Sequence, residues 1–270
     1  MGGDLAALRR NLSALDRVVT AFSGGADSAF LTWVAADTLG SDHVVAATAV
    51  SPSLASGELA DCEQLTAEWN IPWLPLETRE LDRPEYVANG GDRCYYCKSE
   101  LLDTLAPVAA QMGATVVLGV NLDDLGDYRP GQLAAAERGA RFPLVDAGFT
   151  KADVREASRR LGLRTWDKPA GACLASRLPY GTPVTVGRLR SIEAAEEGLR
   201  RLGFRQLRVR HYGDLARIEL PPDELAGAVA RRTELIAAVK EAGYRYVTLD
   251  LEGFRSGNLN QSLRAGTSQS

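Results

Sequence analysis

"RVVTAFSGGADSAFLTWVAADTLG", residues 17–40, decides the fold. Arg17–Phe22 is a short apolar run bounded by turn residues, the pattern of a buried strand. Ser-Gly-Gly then breaks regular structure, and residues 27–39 read as a helix that stops at Gly40. Glycines at such a turn let backbone N–H groups approach an anion with no Cβ in the way, and the helix start adds unpaired N–H groups. The loop is not a Walker loop, because no G-x-x-x-x-G-K-[ST] occurs, and it is not the dinucleotide G-x-G-x-x-G. A bare Gly-Gly would be an ordinary turn. With a strand before it, a helix after it and polar side chains on it, Ser23, Gly24, Gly25, Asp27 and Ser28 are the expected phosphate-binding set.

Outward from this loop the pattern repeats. Strands are expected at 43–50, 72–78 and 114–120, and helices at 56–70 and 98–112. Strand–helix alternation implies a parallel sheet covered by helices on both faces, with ligands at the carboxyl ends of the strands. "LGVNLDDLGDYRPG" (118–131) follows a buried strand, so Asn121, Asp124 and Asp127 are candidates to face a nucleotide, its Mg2+ or the reacting group. An Asn/Asp-rich turn without ligand is the plain alternative.

After Trp166 the texture changes. Residues 167–185 are rich in Gly and Pro. A helix (186–203), a hairpin about Gly213 and Asp214, a helix (222–242) and a strand (244–251) follow. The expected division is therefore a first domain over 1–165, a smaller α+β domain over 166–255 and a flexible tail over 256–270. At 270 residues, 45% apolar and 24% charged, the chain reads as an ordinary globular protein. The net charge of −4 hides a basic region: Arg159–Arg217 holds twelve Arg and one Lys against five acids, a net of +8. An anionic ligand, or simply a solvated arginine-rich surface, would account for it. No signal-peptide-like segment or membrane span is read, so a cytoplasmic location is expected, where cysteines serve as thiols or metal ligands more often than as disulfides.

"GGDRCYYCKSEL" (90–101) sets Cys94 and Cys97 three apart, a spacing open to a redox pair, a metal knuckle or a catalytic thiol, and Lys98 directly behind them is a candidate catalytic residue able to reach phosphate. Cys173, in "PAGACLASRLPYG", has Arg177 close in sequence, and a neighbouring cation lowers a thiol's pKa. Cys62 stands at helical spacing from Leu59, Leu65 and Trp69 and is expected to be a buried apolar residue. Only two histidines occur, which disfavours histidine-based triads and zinc hydrolases.

S-G-G-x-D-S resembles the pyrophosphate loop of the PP-loop ATP pyrophosphatases (adenine nucleotide alpha hydrolase-like), which cleave ATP between the α and β phosphates and adenylate a substrate oxygen. Most of the chain resembles one branch, the LarE family, which supplies sulfur to the nickel-pincer nucleotide of lactate racemase. The likeness runs through "AFSGGADS", "DRCYYCK", "LGVNLDDLGDYRPG", "PAGACLASRLPYG", "LRVRHYGDLARIEL" and "YVTLDLEGFRSGNLN".

The resemblance implies an α/β PP-loop domain with a smaller C-terminal α+β domain, ATP with Mg2+, and a pyridinium mononucleotide bearing two carboxylates as substrate. It implies that Cys94, Cys97 and Cys173 hold a [4Fe-4S] cluster, that a separate donor supplies sulfide, and that the protein is a hexamer. Family members with a single cysteine, matching Cys173, instead surrender its sulfur. Ser176, Arg208 and Arg210 are expected to hold the substrate phosphate, since alternate residues of a strand share a face and guanidiniums suit phosphate. Glu196 or Glu197 is expected to position a group nearby. Rivals at this stage are a zinc site of three cysteines, a Cys94–Cys97 redox disulfide, a tRNA thiolase, an amidotransferase-type ligase and a nucleotide sensor. Overall acidity and the C-terminal matches favour the sulfur transferase, with no nucleic-acid partner.

Overall fold

The computed structural model describes residues 2–125, 130–169 and 171–255. Asp127 and the tail over 256–270, both singled out above, lie outside them. The chain divides into two compact units: Met1–Glu80 with Cys94–Gly171, and Leu81–Arg93 with Ala172–Ser270.

Through the first unit run α1 (Leu5–Ser13), β1 (Val18–Ala21), α2 (Ala26–Leu39), β2 (Val44–Val50), α3 (Ser56–Glu68) and β3 (Trp73–Glu77). The short α4 (Pro84–Val87) follows within the second unit. Then come α5 (Arg93–Met112), β4 (Thr115–Leu118), α6 (Leu122–Leu125), α7 (Pro130–Glu137), α8 (Pro143–Asp146) and α9 (Lys151–Arg160). The sheet order is β3-β2-β1-β4 with every neighbouring pair parallel. Alternation assigns its two faces. Val18, Val44, Ala46 and Val117 join one core with Leu8, Leu12, Phe30 and Val154, whereas Val19, Ala47 and Leu118 join another with Leu101, Leu105 and Ala135. Each valine, leucine or phenylalanine among them contributes about 1.5–3 kcal/mol on full burial. The parallel sheet and smaller second domain expected from the sequence are present. Among the described residues no helix is long and apolar enough to cross a membrane.

The second unit contains α10 (Val186–Arg201), β5 (Arg208–Tyr212), β6 (Leu215–Glu219), α11 (Leu225–Ala230), α12 (Arg232–Glu241) and β7 (Tyr246–Leu249). β5 and β6 form the expected hairpin, turning on Gly213 at φ 63°, and β7 adds in parallel beside β6. Leu199 of α10 and Val239 of α12 pack on Val209 and Ile218, one face of this sheet. The helix expected over 222–242 is interrupted. Arg231 leaves helical geometry at φ −101°, ψ 21°, and its Nη1 donates to the Leu202 carbonyl at 2.7 Å.

Residues 81–93, which the sequence reading left in the first domain, belong to the second unit because their hydrogen bonds lie there. Asn89 Nδ2 donates to the carbonyls of Pro179 (2.8 Å) and Thr182 (2.9 Å), and Arg93 Nη1 to that of Ala175 (2.9 Å). Backbone bonds from Gly181 to Asn89 and from Val184 to Val87 complete the seam.

Candidate active site

β1 ends where the phosphate loop begins. Thr48 of β2 donates its hydroxyl to the Phe22 carbonyl at 2.9 Å, and Thr32 of α2 donates to Thr20 of β1 at 2.9 Å, so strand and helix are tied on either side of the loop. Gly24 adopts φ 67°, a conformation glycine takes without strain. The Ser23 and Ser28 hydroxyls stand 3.1 Å apart, and the Ser23 amide donates to Ser28 Oγ at 3.3 Å. Asp4, Thr150 and Thr185 cap the N-termini of α1, α9 and α10, but no side chain caps α2. Its first turn is therefore open to an anionic ligand.

Asp27, on that turn, accepts a hydrogen bond from Asn121 Nδ2 at 3.1 Å. Burial raises its pKa, against the lowering effect of the Asn121 hydrogen bond and of the Lys151 and Arg155 charges. Asn121 is wholly buried, and Asp124 accepts from its amide at 3.1 Å. Asn121 thus acts on the loop through Asp27. β4 approaches closely from the other side: a Cβ on Gly119 would stand 2.8 Å from the Asp27 carbonyl carbon and the Ser28 nitrogen.

α5 begins at Arg93, five residues before the helix read over 98–112, so Cys94 and Cys97 lie on its first turns, one turn apart on one side. Cys94 is exposed and Cys97 half-buried. Gly131 of α7 packs here, since a Cβ on it would stand 3.0 Å from the Cys94 carbonyl oxygen and 3.1 Å from Lys98 Cγ. Tyr95 donates its hydroxyl to Glu137 of α7 at 2.7 Å.

In the second unit Cys173 is exposed and precedes a 3-10 turn, Leu174–Arg177. Arg177 is buried. Its Nε and Nη2 donate to the two oxygens of Glu196, and its Nη1 donates to the carbonyls of Ala172 and Cys173. Burial by itself would lower the Arg177 pKa, but the charge and hydrogen bonds of Glu196, with Cys173 and Glu219 adding, raise it. Arg210 pairs with both oxygens of Glu219 at 3.0 Å and donates Nη1 to the Ser176 carbonyl at 2.8 Å. Arg208, stacked over Phe254 at 4.9 Å, has its pKa pulled down to about 10, by burial first and then by Arg177 and Arg210. Cys173, Ser176, Arg208 and Arg210 all lie in this unit, with Arg210 bonded to the Ser176 carbonyl and Arg177 to that of Cys173. The buried Glu219 is a member the sequence reading missed. Of the two glutamates considered, Glu196 is the one wholly buried against Arg177.

The donor set suits a thiolate-held group in kind: all four cysteines lie outside any disulfide, and only Cys62 is buried. Its burial, the larger influence, raises the Cys62 pKa to about 11, as befits the apolar role expected of it. Among the described residues no three or more His, Cys, Asp and Glu side chains are gathered into a metal-holding group.

No protein-family model matches the chain. An uncharacterised protein of Synechocystis sp. is 50% identical over 260 residues, covering 95% of this chain and 96% of that protein. The pyridinium-3,5-bisthiocarboxylic acid mononucleotide synthase of Lactiplantibacillus plantarum is 40% identical over 253 residues, covering 93% and 92% respectively. An uncharacterised protein of Methanocaldococcus jannaschii is 29% identical over 241 residues, covering 89% and 91%.

Proposed function

The chain belongs to the LarE family, and on that premise we propose that it is an ATP-dependent sulfur transferase acting on a pyridinium-3,5-biscarboxylic acid mononucleotide. A carboxylate oxygen is a poor leaving group. Attack of that oxygen on the α-phosphorus of ATP forms an acyl-adenylate and releases pyrophosphate; Mg2+ would neutralise the phosphate charge. Ser23, Gly24, Gly25 and Ser28 hold the departing pyrophosphate on the open turn of α2. The Asp27–Asn121–Asp124 chain fixes the acidic side of the same site. In the second unit, Ser176, Arg208 and Arg210 hold the substrate's phosphate, and Arg177 adds positive potential beside Cys173. The activated carbonyl then takes up sulfur and expels AMP, giving a thiocarboxylate, and a second round treats the other carboxylate.

Cys94, Cys97 and Cys173 are the residues that would hold a [4Fe-4S] cluster, whose fourth iron would supply an open position for sulfide. A second reading is favoured by the exposure of Cys173: its own Cβ–S bond breaks, the sulfur leaves with the product, and dehydroalanine remains. We read the protein as a cytoplasmic homo-oligomer, hexameric by family resemblance.

The observation that carries the proposal is the uncapped start of α2 behind Ser-Gly-Gly, with Asp27 beyond the carboxyl end of β1 bonded to Asn121 beyond that of β4. Anaerobic incubation of the full chain with ATP, Mg2+, sulfide and the biscarboxylate mononucleotide tests it. Substrate-dependent pyrophosphate release and a thiocarboxylate product by mass spectrometry are expected. AMP-free hydrolysis of ATP to ADP, or no product, would refute the reading.

A further inference from the structure

Lys168, in the first unit, is a half-buried cation. Its Nζ donates to Glu58 Oε2 at 2.8 Å and to Asp61 Oδ2 at 2.5 Å, both on α3, and its side chain is 18% exposed. A Cβ erected on Gly24 would stand 3.6 Å from that Nζ, so the ammonium sits beside the central glycine of the phosphate loop. The two carboxylates do not depend on it equally. Asp61 has a second cation in place, Arg164 at 2.7 Å, which itself also binds Glu68 at 3.0 Å. Glu58 is more exposed, at 37%, and water can take over its charge. Lys168 can therefore leave both partners without stranding a buried ion. Its carbonyl stays anchored by Arg155 Nη2 at 3.0 Å while the flexible side chain moves.

We propose that Lys168 is a further phosphate-binding residue of the adenylation site, which Glu58 and Asp61 hold beside Gly24 and which the pyrophosphate moiety takes over when it fills the loop. Lysine suits this part because it meets phosphate as a mobile point charge, without the fixed fork of arginine. The inference rests on the adenylation reading above.

The test measures, in the full chain, the inhibition constant of inorganic pyrophosphate against ATP. Competition in the wild type is the check on the adenylation reading, and its absence would remove that reading first. With competition established, Lys168→Met should weaken pyrophosphate by about tenfold to a hundredfold, the loss of one charged hydrogen bond. Glu58→Gln should act in the opposite direction: releasing Lys168 raises the fraction of protein ready for phosphate, and pyrophosphate binds more tightly. A purely structural brace predicts weaker binding in both variants. Unchanged pyrophosphate inhibition in Lys168→Met, or weakened inhibition in Glu58→Gln, would overturn the assignment. If Lys168→Met does not fold, Glu58→Gln alone decides, because it keeps the lysine.

Discussion

Arg177 and Glu196 form a two-bond pair, Nε to Oε1 at 2.9 Å and Nη2 to Oε2 at 3.1 Å, that joins the Cys173 turn to α10. Glu196 also accepts from the Val209 amide at 3.1 Å and from Arg200 at 3.1 Å, so one wholly buried carboxylate holds turn, helix and strand. Glu196→Ala should cost about 3–5 kcal/mol, because it strands Arg177 with a buried charge. Denaturant unfolding gives the stability. Sulfur transfer measured well below the unfolding midpoint should also fall, since Arg177 then no longer fixes the Ala172 and Cys173 carbonyls. Arg177→Lys, with Glu196 intact, should lower both as well, because an ammonium cannot make the paired bonds to Glu196.

Asp27 carries a pH signature. Its folded-state pKa is raised above the ordinary 3.8 by burial, so the native state binds its proton more tightly than the unfolded chain. The stability tied to it is complete below about 3.8 and is lost as pH rises through the raised value. Asp27→Asn keeps the acceptor for Asn121 and cannot ionise. It should melt higher than wild type near neutral pH, with the gap closing on acidification below the ordinary aspartate range. Thermal melts at several pH values check this. Pyrophosphate release should meanwhile be lost, the usual exchange of stability for a working site. An equal or lower melting temperature for Asp27→Asn at neutral pH would show that the carboxylate is not under strain.

Arg208 and Arg210 should separate binding from folding. Either one replaced by alanine should raise the KM for the mononucleotide by about one to two powers of ten and leave that for ATP nearly unchanged. Arg210→Ala should also destabilise, by about 3 kcal/mol, because it removes a paired guanidinium from the wholly buried Glu219. Equal mononucleotide KM in both variants and wild type would place the phosphate elsewhere.

The cysteines should fall into two classes. Cys94 and Cys173 should react with a thiol reagent in the native protein purified without metal, whereas Cys62 should react only after unfolding, because burial keeps its thiol protonated and out of reach. If Cys94, Cys97 and Cys173 share a cluster, alanine at any of the three should lower iron content of anaerobically purified protein to a similar, small residue. If Cys173 is spent instead, the Cys94 and Cys97 variants stay active, turnover stops at one sulfur per chain, and mass spectrometry finds Cys173 short of hydrogen sulfide.

Much of the first unit was legible because its signals are local. The run from Val18 to Ala21 has the burial that a strand covered on both faces requires, and Gly24 and Gly40 stand at positive φ where the chain turns. The hairpin at Gly213 was legible for the same reason. Segment 81–93 was not, because Asn89 meets its acceptors 90 and 93 residues away and no period encodes such a bond. Nothing in "WDKPAG" marks Lys168, since its partners, Glu58 and Asp61, are more than a hundred residues upstream. Alternation put Arg208 and Arg210 on one face, but it carried no hint that Glu219, directly opposite Arg208 in register, would bind the guanidinium of Arg210.

The seam that ties 81–93 to 175–184 also orders events during synthesis. Asn89 leaves the ribosome before the carbonyls of Pro179 and Thr182 exist. At about 5–20 residues per second, the 90 and 93 residues from Asn89 to these acceptors take about 5–20 s to make. The strands β1 to β4 are all made by residue 118, so the parallel sheet can close while this segment is still waiting. A nascent chain arrested once β4 has emerged from the ribosome, with Pro179 and Thr182 not yet made, should therefore protect its sheet from protease while remaining open to cutting near Asn89. Release of the finished chain should close that site.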